Sequence, residues 1–401
     1  MSSINFSRLT RWMDVPENAR KLLERSERQV ILNLNIRSAS GELLMGDVYV
    51  VYHNTARGPA KGGIRISPAV TLAETTDLAE RMVWKTALVK IPFGGGKSGI
   101  RIDGTALSNF ERADMIREYV HLLESDLVNG VYIPAPDLGS RPSDMATIYG
   151  QTHILSSVTG KPPRLGGLPG RKEATGRGVA HAVKLALAHV LRRDVKGATV
   201  AVQGFGNVGS WAAKFLHDMG AKVVAVSDHT GGWHDDRGIA IDPVMKCANV
   251  AGCLGPERIG DRITNDELLA LDVDVLAPCA VENVLTRDTA PRVRAKLVVE
   301  GANGPTAEEG DAILEKNGVA AIPDFLANSG GVIASYIEWR SAKSGSITDR
   351  REVFESIDKV IETAFAEVES IAKDRKISYR RAAECVAVGE VVGAMQDRGW
   401  I

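Results

Sequence analysis

Between residues 198 and 228 the chain reads ATVAVQGFGNVGSWAAKFLHDMGAKVVAVSD, and no other stretch restricts the possible folds as tightly. Residues 198–203 are small, apolar and β-branched, which predicts a strand. Gly204-Phe205-Gly206-Asn207-Val208-Gly209 interrupts it, and Trp211, Ala212, Phe215 and Leu216 then recur at helical spacing as far as Gly220. A second strand over 222–227 ends on Asp228. Strand, glycine loop, helix, glycine stop, strand and terminal acid in this order predict a βαβ unit that binds a dinucleotide. Gly204 makes the tight turn, Gly206 lets the backbone approach a pyrophosphate, and Gly209 permits close helix packing. The amino end of the helix then faces the phosphates. Gly204, Gly206, Asn207, Val208, Gly209 and Asp228 are therefore the candidate cofactor residues.

The alternation continues with strands over 273–277, 297–300 and 320–322 and a helix opened by the capping box Thr306-Ala307-Glu308-Glu309. This predicts a parallel, doubly wound α/β sheet. At 401 residues there is room for two or three domains. The loop-rich run from Gly160 to Gly178 reads as a junction, which gives three segments: an α/β domain over 1–174, the Rossmann-like domain over 175–335, and helices over 336–401. Val353, Ile357, Val360, Ile361 and Phe365 form one helical stripe, and 378–396 carries another. With no strand pattern after Ile322, these helices are expected to return to the first domain and close a cleft.

Composition excludes several classes. Apolar content of 44%, charged content of 25% and a formal net charge of -1 describe an ordinary globular protein, with no global attraction to nucleic acid or membranes. No apolar run approaches the ~20 residues of a bilayer span, and MSSINFSRLTRWMD lacks a signal-peptide core, so a cytoplasmic setting is expected. Cys247, Cys253, Cys279 and Cys385 form no CxxC pair and have no histidine at ligand spacing, so reduced thiols and no metal site are expected.

In the amino-terminal part, Asp14 as cap and Pro16 in the first turn announce a helix, and β-rich runs over 29–36 and 43–52 meet at Ser40-Gly41 as a hairpin. A helix over 71–89 places Leu78, Met82 and Lys85 on one face with Ala79 and Val83, hence Lys85 on the buried stripe. Spacing leaves two readings for Lys85, a stem snorkelling across the core or an anion ligand. The capping box Ser108 to Glu111 opens a helix with Met115, Ile116, Tyr119 and Leu122. A strand over 131–133 runs into PAPDLGS, where Pro134 and Pro136 stiffen the backbone before Asp137. That carboxylate either caps the next segment or is poised for chemistry. Lys61 precedes Gly62-Gly63, Lys85 sits in MVWKTAL, and Lys97 follows Gly94-Gly95-Gly96. Three lysines in such apolar company suggest an anion site.

The succession RGPAKGGIR, WKTAL, PFGGGKSG, PAPDLGS, TGKP, GRKEATGRGV, QGFGNVGS and NSGGVIASYIEW resembles the glutamate dehydrogenases of the glutamate, leucine, phenylalanine and valine dehydrogenase family. It covers the chain from about Val50 to Trp339. The resemblance implies a catalytic domain built from both ends of the chain, an inserted cofactor domain, a cleft that closes, and a hexamer, here a homo-hexamer. It implies oxidative deamination of L-glutamate to 2-oxoglutarate and ammonium with hydride transfer to NAD or NADP.

By the same resemblance, Lys97 activates water and Asp137 exchanges protons with the substrate nitrogen. Lys85 holds the α-carboxylate, while Lys61 and Ser335 hold the side-chain carboxylate. Thr175 and Asn207 contact the cofactor, and Asn303 and Asn328 lie beside the nicotinamide. A free lysine titrates near ~10.4, and neighbouring charge with burial brings one into the ~7 to 8 range where it exchanges protons. Relatives acting on leucine or phenylalanine carry an apolar residue at the Lys61 position, and an unpaired buried ammonium disfavours apolar substrates by several kcal/mol. Lys61 and Ser335 thus oppose a dehydrogenase of another amino acid, and retention of Lys97 and Asp137 opposes a non-catalytic subunit of a mixed hexamer. The family commonly reads GGGKGG or GGAKGG, whereas Ser98 here is expected to place a hydroxyl beside the amine. Asp228 favours NAD over NADP, and His229 leaves NADP open.

Overall fold

The computed structural model describes residues 4–38, 40–251, 254 and 259–401. The chain divides into two compact units. The first comprises the residues up to Arg171 with Val332–Val353 and Glu384–Ile401, and the second comprises Lys172–Gly331 with Phe354–Ala383. Among the described residues, no helix is long and apolar enough to cross a membrane.

The first unit holds a five-stranded sheet of β1 (Arg28–Arg37), β2 (Leu43–Asn54), β3 (Ala60–Ile66), β4 (Gly94–Arg101) and β5 (Tyr132–Pro136), in the order β1-β2-β4-β3-β5. β1 and β2 form the expected hairpin, with Arg37 opposite Leu43. β3 runs parallel to both β4 and β5. Neither β3 nor β4 is predicted from sequence, because glycine is depleted in strands. Here the glycines are required by close approach. A Cβ on Gly62 would overlap the Gly96 carbonyl, and one on Gly95 would overlap Val83 and the Ala79 carbonyl of the covering helix. β5 sits at the sheet edge, where Pro134 and Pro136 are tolerated.

The Leu72–Leu88 helix covers one face of this sheet, with Thr71 accepting from the Glu74 amide as its cap. Its buried line is Thr75, Ala79 and Val83, because the bare Gly95 backbone draws the helix in there. Leu78, Met82 and Lys85 fall on the half-buried flank, one position away from the stripe that spacing predicts. Ser98, Met115, Tyr119, Tyr132 and Ile148 lie on the opposite side, in a core covered by the Asn109–Leu122 and Pro142–Thr152 helices. Burial of each large aliphatic side chain there contributes about 1.5–3 kcal/mol. Arg112 clamps Asp144 through two hydrogen bonds of 2.8 and 2.6 Å and so ties the two helices together. The expected Ser108–Glu111 capping box is present. The Glu17–Leu23 helix instead has Pro16 at its cap position with no side-chain bond, because Asp14 lies too far upstream to reach the first free amides.

The second unit holds β6 (Thr199–Gln203), β7 (Lys222–Asp228), β8 (Gly231–His234), β9 (Asp261–Ile263), β10 (Val275–Pro278), β11 (Leu297–Val299) and β12 (Ala320–Ile322). Their order is β12-β11-β10-β6-β7-β8-β9. The strands from β12 to β7 are parallel, as predicted, and β8 and β9 add an antiparallel edge that the short Gly-Gly-Trp-His run does not announce. The chain leaves β6 toward β7 and later returns to its other side at β10, which makes a topological switch point at their carboxyl ends. The Glu308–Lys316 helix is capped at Ala307 rather than Thr306, with no side-chain bond. Cys279 and Cys385 are buried thiols, and burial pushes the Cys279 thiol up to about 12. Cys253 lies outside the described residues.

The Gly330–Ser344, Arg350–Arg375 and Tyr379–Asp397 helices complete the chain, with Val353, Ile357, Ile361 and Phe365 buried and Val360 on the flank. Both of the last two contribute residues to each unit.

Candidate active site

Strand register assembles the charged residues of the first unit on one face. Lys61 pairs with Gly95 of β4 and Ile133 of β5, and neighbours in register share a face. Lys61, Gly63, Gly95 and Lys97 therefore point the same way, and Asp137 follows directly at the end of β5. A Cβ on Gly63 would overlap the Asp137 Cβ, so only glycine leaves room for that carboxylate. Lys97 Nζ lies 2.8 Å from Asp137 Oδ2, with side chains 7% and 25% exposed. Arg65 Nε donates to the same oxygen at 3.1 Å and also pairs with Glu74. Burial favours the neutral acid, yet Lys97 and Arg65 hold the Asp137 carboxyl below its ordinary range. Asp137 is thus an ionised acceptor, not a helix cap. The Ser140 hydroxyl instead closes the loop, accepting from the Asp137 amide at 2.7 Å.

Lys61 is 2% exposed, and among the described residues no carboxylate lies within ion-pair distance of it. Burial and the neighbouring Arg171 lower its pKa to about 7, against a smaller opposing pull from Glu338. Glu338 is itself engaged, accepting from the Gly160 amide at 2.8 Å and from Lys161 Nζ at 2.7 Å. Ser335 lies one helical turn before Glu338 and is buried with it. The Arg171 Nε is also buried without a hydrogen-bond partner. Lys61 and Arg171 thus bring two cationic side chains together, each with a buried nitrogen. Lys85 occupies the half-buried flank of the helix over the same sheet face.

Ser98 does not lie beside the Lys97 amine. Successive strand residues point to opposite faces, and its hydroxyl is bonded to Tyr119 and Tyr132 in the core. Arg65, Arg171, Lys161 and Glu338 are not singled out by sequence. Once 60–66 is read as a strand, a period of two brings Arg65 onto the face of Lys61, which is the signal that glycine hides.

In the second unit the loop 204–209 leads from β6 into the Asn207–Asp218 helix. Gly204 has φ +93°, a left-handed conformation that favours glycine. Gly209 packs so closely that a Cβ would overlap the Gly204 carbonyl, whereas Gly206 faces open space. No side chain caps this helix, so its first amides are available to an anion. Asn207 Nδ2 turns to the Lys172 carbonyl at 3.1 Å, Val208 is half-buried in the first turn, and Thr175 is half-buried in the first turn of the Ala174–His189 helix. Asp228 ends β7 and accepts from Thr230 and from the Leu254 amide. Partial burial opposes its ionisation, and those hydrogen bonds hold it below the ordinary range. Asn328 donates to Asn303 at 3.1 Å, and its own buried Oδ1 has no partner.

A parallel sheet with an uncapped glycine-loop helix, carried in one chain with a closely paired lysine and aspartate, fits an NAD(P)-dependent oxidoreductase. The family model described as Glutamate/Leucine/Phenylalanine/Valine dehydrogenase matches residues 166–399, and that of the Glu/Leu/Phe/Val dehydrogenase dimerisation domain matches residues 26–154. The chain belongs to this family and is an amino-acid dehydrogenase. It is 42% identical to a glutamate dehydrogenase of Thermotoga maritima over 409 residues, spanning 100% of this chain and 97% of that protein. It is also 42% identical to an NADP-specific glutamate dehydrogenase of Saccharolobus shibatae over 386 residues, 94% of this chain and 91% of that one. The crystal structure of a hetero-hexameric glutamate dehydrogenase from Thermus thermophilus, in a Leu-bound form, superimposes with a TM-score of 0.91 at 33% identity, covering 98% of this chain and 94% of that one.

Proposed function

We propose that the chain catalyses the reversible oxidative deamination of L-glutamate, in which glutamate, water and NAD(P)⁺ give 2-oxoglutarate, ammonium, NAD(P)H and a proton. The observation that carries the substrate choice is Lys61, buried beside Arg171 with no carboxylate paired to it. A side-chain carboxylate is the counter-charge that suits these two cations. A leucine side chain offers no such counter-charge and forgoes the ion pair that glutamate gains.

Lys61, Arg171 and Ser335 hold the side-chain carboxylate, and Lys85 holds the α-carboxylate. The ionised Asp137 takes a proton from the substrate nitrogen, and Lys97, gripped by Asp137 at 2.8 Å, activates the water that adds to the imine carbon. NAD(P)⁺, when bound, accepts the hydride from the α-carbon. The second unit fits such a cofactor: the uncapped amides from Gly206 to Gly209 suit a pyrophosphate, and the unpartnered Asn328 Oδ1 suits a carboxamide N–H. Gly204, Gly206, Asn207, Val208 and Gly209 hold the phosphates, Asp228 the ribose, and Thr175, Asn303 and Asn328 the nicotinamide end. The ionised Asp228 favours a ribose diol over a 2′-phosphate, hence NAD over NADP. The Thermus relative is a hetero-hexamer. With Lys97 and Asp137 both in place, a homo-hexamer of this chain is self-sufficient.

Initial rates of glutamate and leucine oxidation, each with NAD⁺ and with NADP⁺, test this reading. Glutamate with NAD⁺ is expected to be fastest, and faster turnover of leucine would remove the substrate assignment.

A further inference from the structure

We propose that Ser98 is a positioning residue, fixing through a directional chain of buried hydroxyls the three strands that carry Lys61, Lys97 and Asp137. The inference rests on the dehydrogenase reading above, in which those three residues act on the substrate.

The chain runs from the Tyr119 hydroxyl to Ser98 Oγ at 2.9 Å, from Ser98 to the Tyr132 hydroxyl at 3.0 Å, and from Tyr132 to the Gly62 carbonyl at 3.0 Å. A carbonyl only accepts, so the single hydroxyl proton of Tyr132 goes to Gly62. Tyr132 must then accept from Ser98, and Ser98 from Tyr119. One arrangement of protons satisfies every link. All three side chains are fully buried, so bulk water offers no alternative partner. Burial pushes both phenols well above their ordinary range, so the chain is neutral.

Its placement gives it a role beyond core stability. Ser98 follows Lys97 on β4, Tyr132 opens β5 five residues before Asp137, and Gly62 follows Lys61 on β3. The Gly62–Gly63 segment has no slack on either side, because Gly62 abuts the Gly96 carbonyl and Gly63 abuts the Asp137 Cβ. The hydroxyl chain grips the sheet from the face opposite the charged residues. If Ser98 loses its oxygen, Tyr132 loses the donor that orients it, and the peptide between Lys61 and Asp137 is free to tilt. Small displacements of reacting groups are costly to rate.

The test compares Ser98→Ala, Tyr132→Phe and their double variant with wild type, using Ile116→Val as a control that loosens the same core while leaving every hydroxyl of the chain in place. Ser98→Ala should lower kcat about 3- to 10-fold, the size of one neutral hydrogen bond, with KM for NAD(P)⁺ unchanged. Tyr132→Phe should match it, and the double variant should be no worse than the weaker single variant. Ile116→Val should lower Tm and leave kcat intact. Tyr119→Phe breaks only the outer link and serves if Ser98→Ala fails to fold; a kcat loss smaller than that of Tyr132→Phe supports the chain. Wild-type kcat in Ser98→Ala at a reduced Tm, or multiplicative losses in the double variant, would overturn the proposal. If wild type does not oxidise glutamate, the substrate reading fails by itself. The same ratios are then read with whichever of leucine, phenylalanine or valine it oxidises. Without turnover, the readout is the pH midpoint of 2-oxoglutarate binding, which Ser98→Ala should shift and Ile116→Val should not; equal midpoints overturn the proposal.

Discussion

Raising the pH from 6 to 9 should weaken 2-oxoglutarate binding about 100-fold, because the pocket cation that receives its distal carboxylate titrates in that window. In the free protein Lys61 titrates at about 7, lowered by burial and by Arg171 from an ordinary 10.5. A bound carboxylate places an opposite charge beside the amine and returns it toward its ordinary range. Below pH 7 the amine is charged in both states, so affinity is flat. Above pH 7 the free protein has lost the proton and binding must take one up, so Kd rises tenfold per unit. Two units above the free pKa this amounts to a factor of about 100, or ~2.7 kcal/mol. 2-Oxoglutarate is the right probe because it has no amine, and its carboxylates titrate well below this range. Calorimetry in two buffers of different ionisation enthalpy gives both Kd and the proton uptake, which should approach one per ligand near pH 8.5. A Kd that stays flat from pH 6 to 9, or a slope that survives in Lys61→Met, would refute the reasoning.

The same shift has a stability side. The folded protein binds fewer protons than the unfolded chain between about pH 7 and the ordinary value of 10.5, so the Lys61 contribution rises with pH through that window and is unfavourable below it. Lys61→Met should therefore raise Tm at pH 7, with the advantage shrinking toward pH 10, as differential scanning calorimetry would show. Asp137→Asn should keep cofactor binding in a fluorescence titration and lose roughly 10²- to 10⁴-fold in kcat; near wild-type turnover would remove Asp137 from the chemistry. Lys161→Met strands the Glu338 carboxylate, which is 1% exposed, and should lower stability by about 3–5 kcal/mol in urea unfolding.

The parts of the fold legible in the sequence are those where local and tertiary preferences agree. The β-rich runs on either side of Ser40-Gly41 announce the hairpin, and the order of strand, glycine loop, helix and strand around Gly204, Gly206 and Gly209 announces the βαβ unit. Where packing overrides propensity the sequence misleads. β3 and β4 are rich in glycine because helix and neighbouring strand press directly on their backbones, so propensity argues against the strands that carry Lys61 and Lys97. With those strands unseen, the alternation that pairs Arg65 with Asp137 and turns Ser98 away from Lys97 is invisible. Lys85 is misplaced by one stripe because the contact line follows the bare backbone at Gly95, not the largest apolar residues. Arg171 stands amid loop residues, and only the folded chain brings it to Lys61.

The central claim is that a buried, unpaired Lys61 selects a substrate bearing a second carboxylate. The most direct measurement is the ratio of kcat/KM for glutamate over leucine in wild type and in Lys61→Leu. The account predicts a ratio far above one in wild type that falls by at least about 100-fold in the variant, with the loss borne by glutamate. An equal loss for both amino acids, or a ratio that does not change, would contradict it.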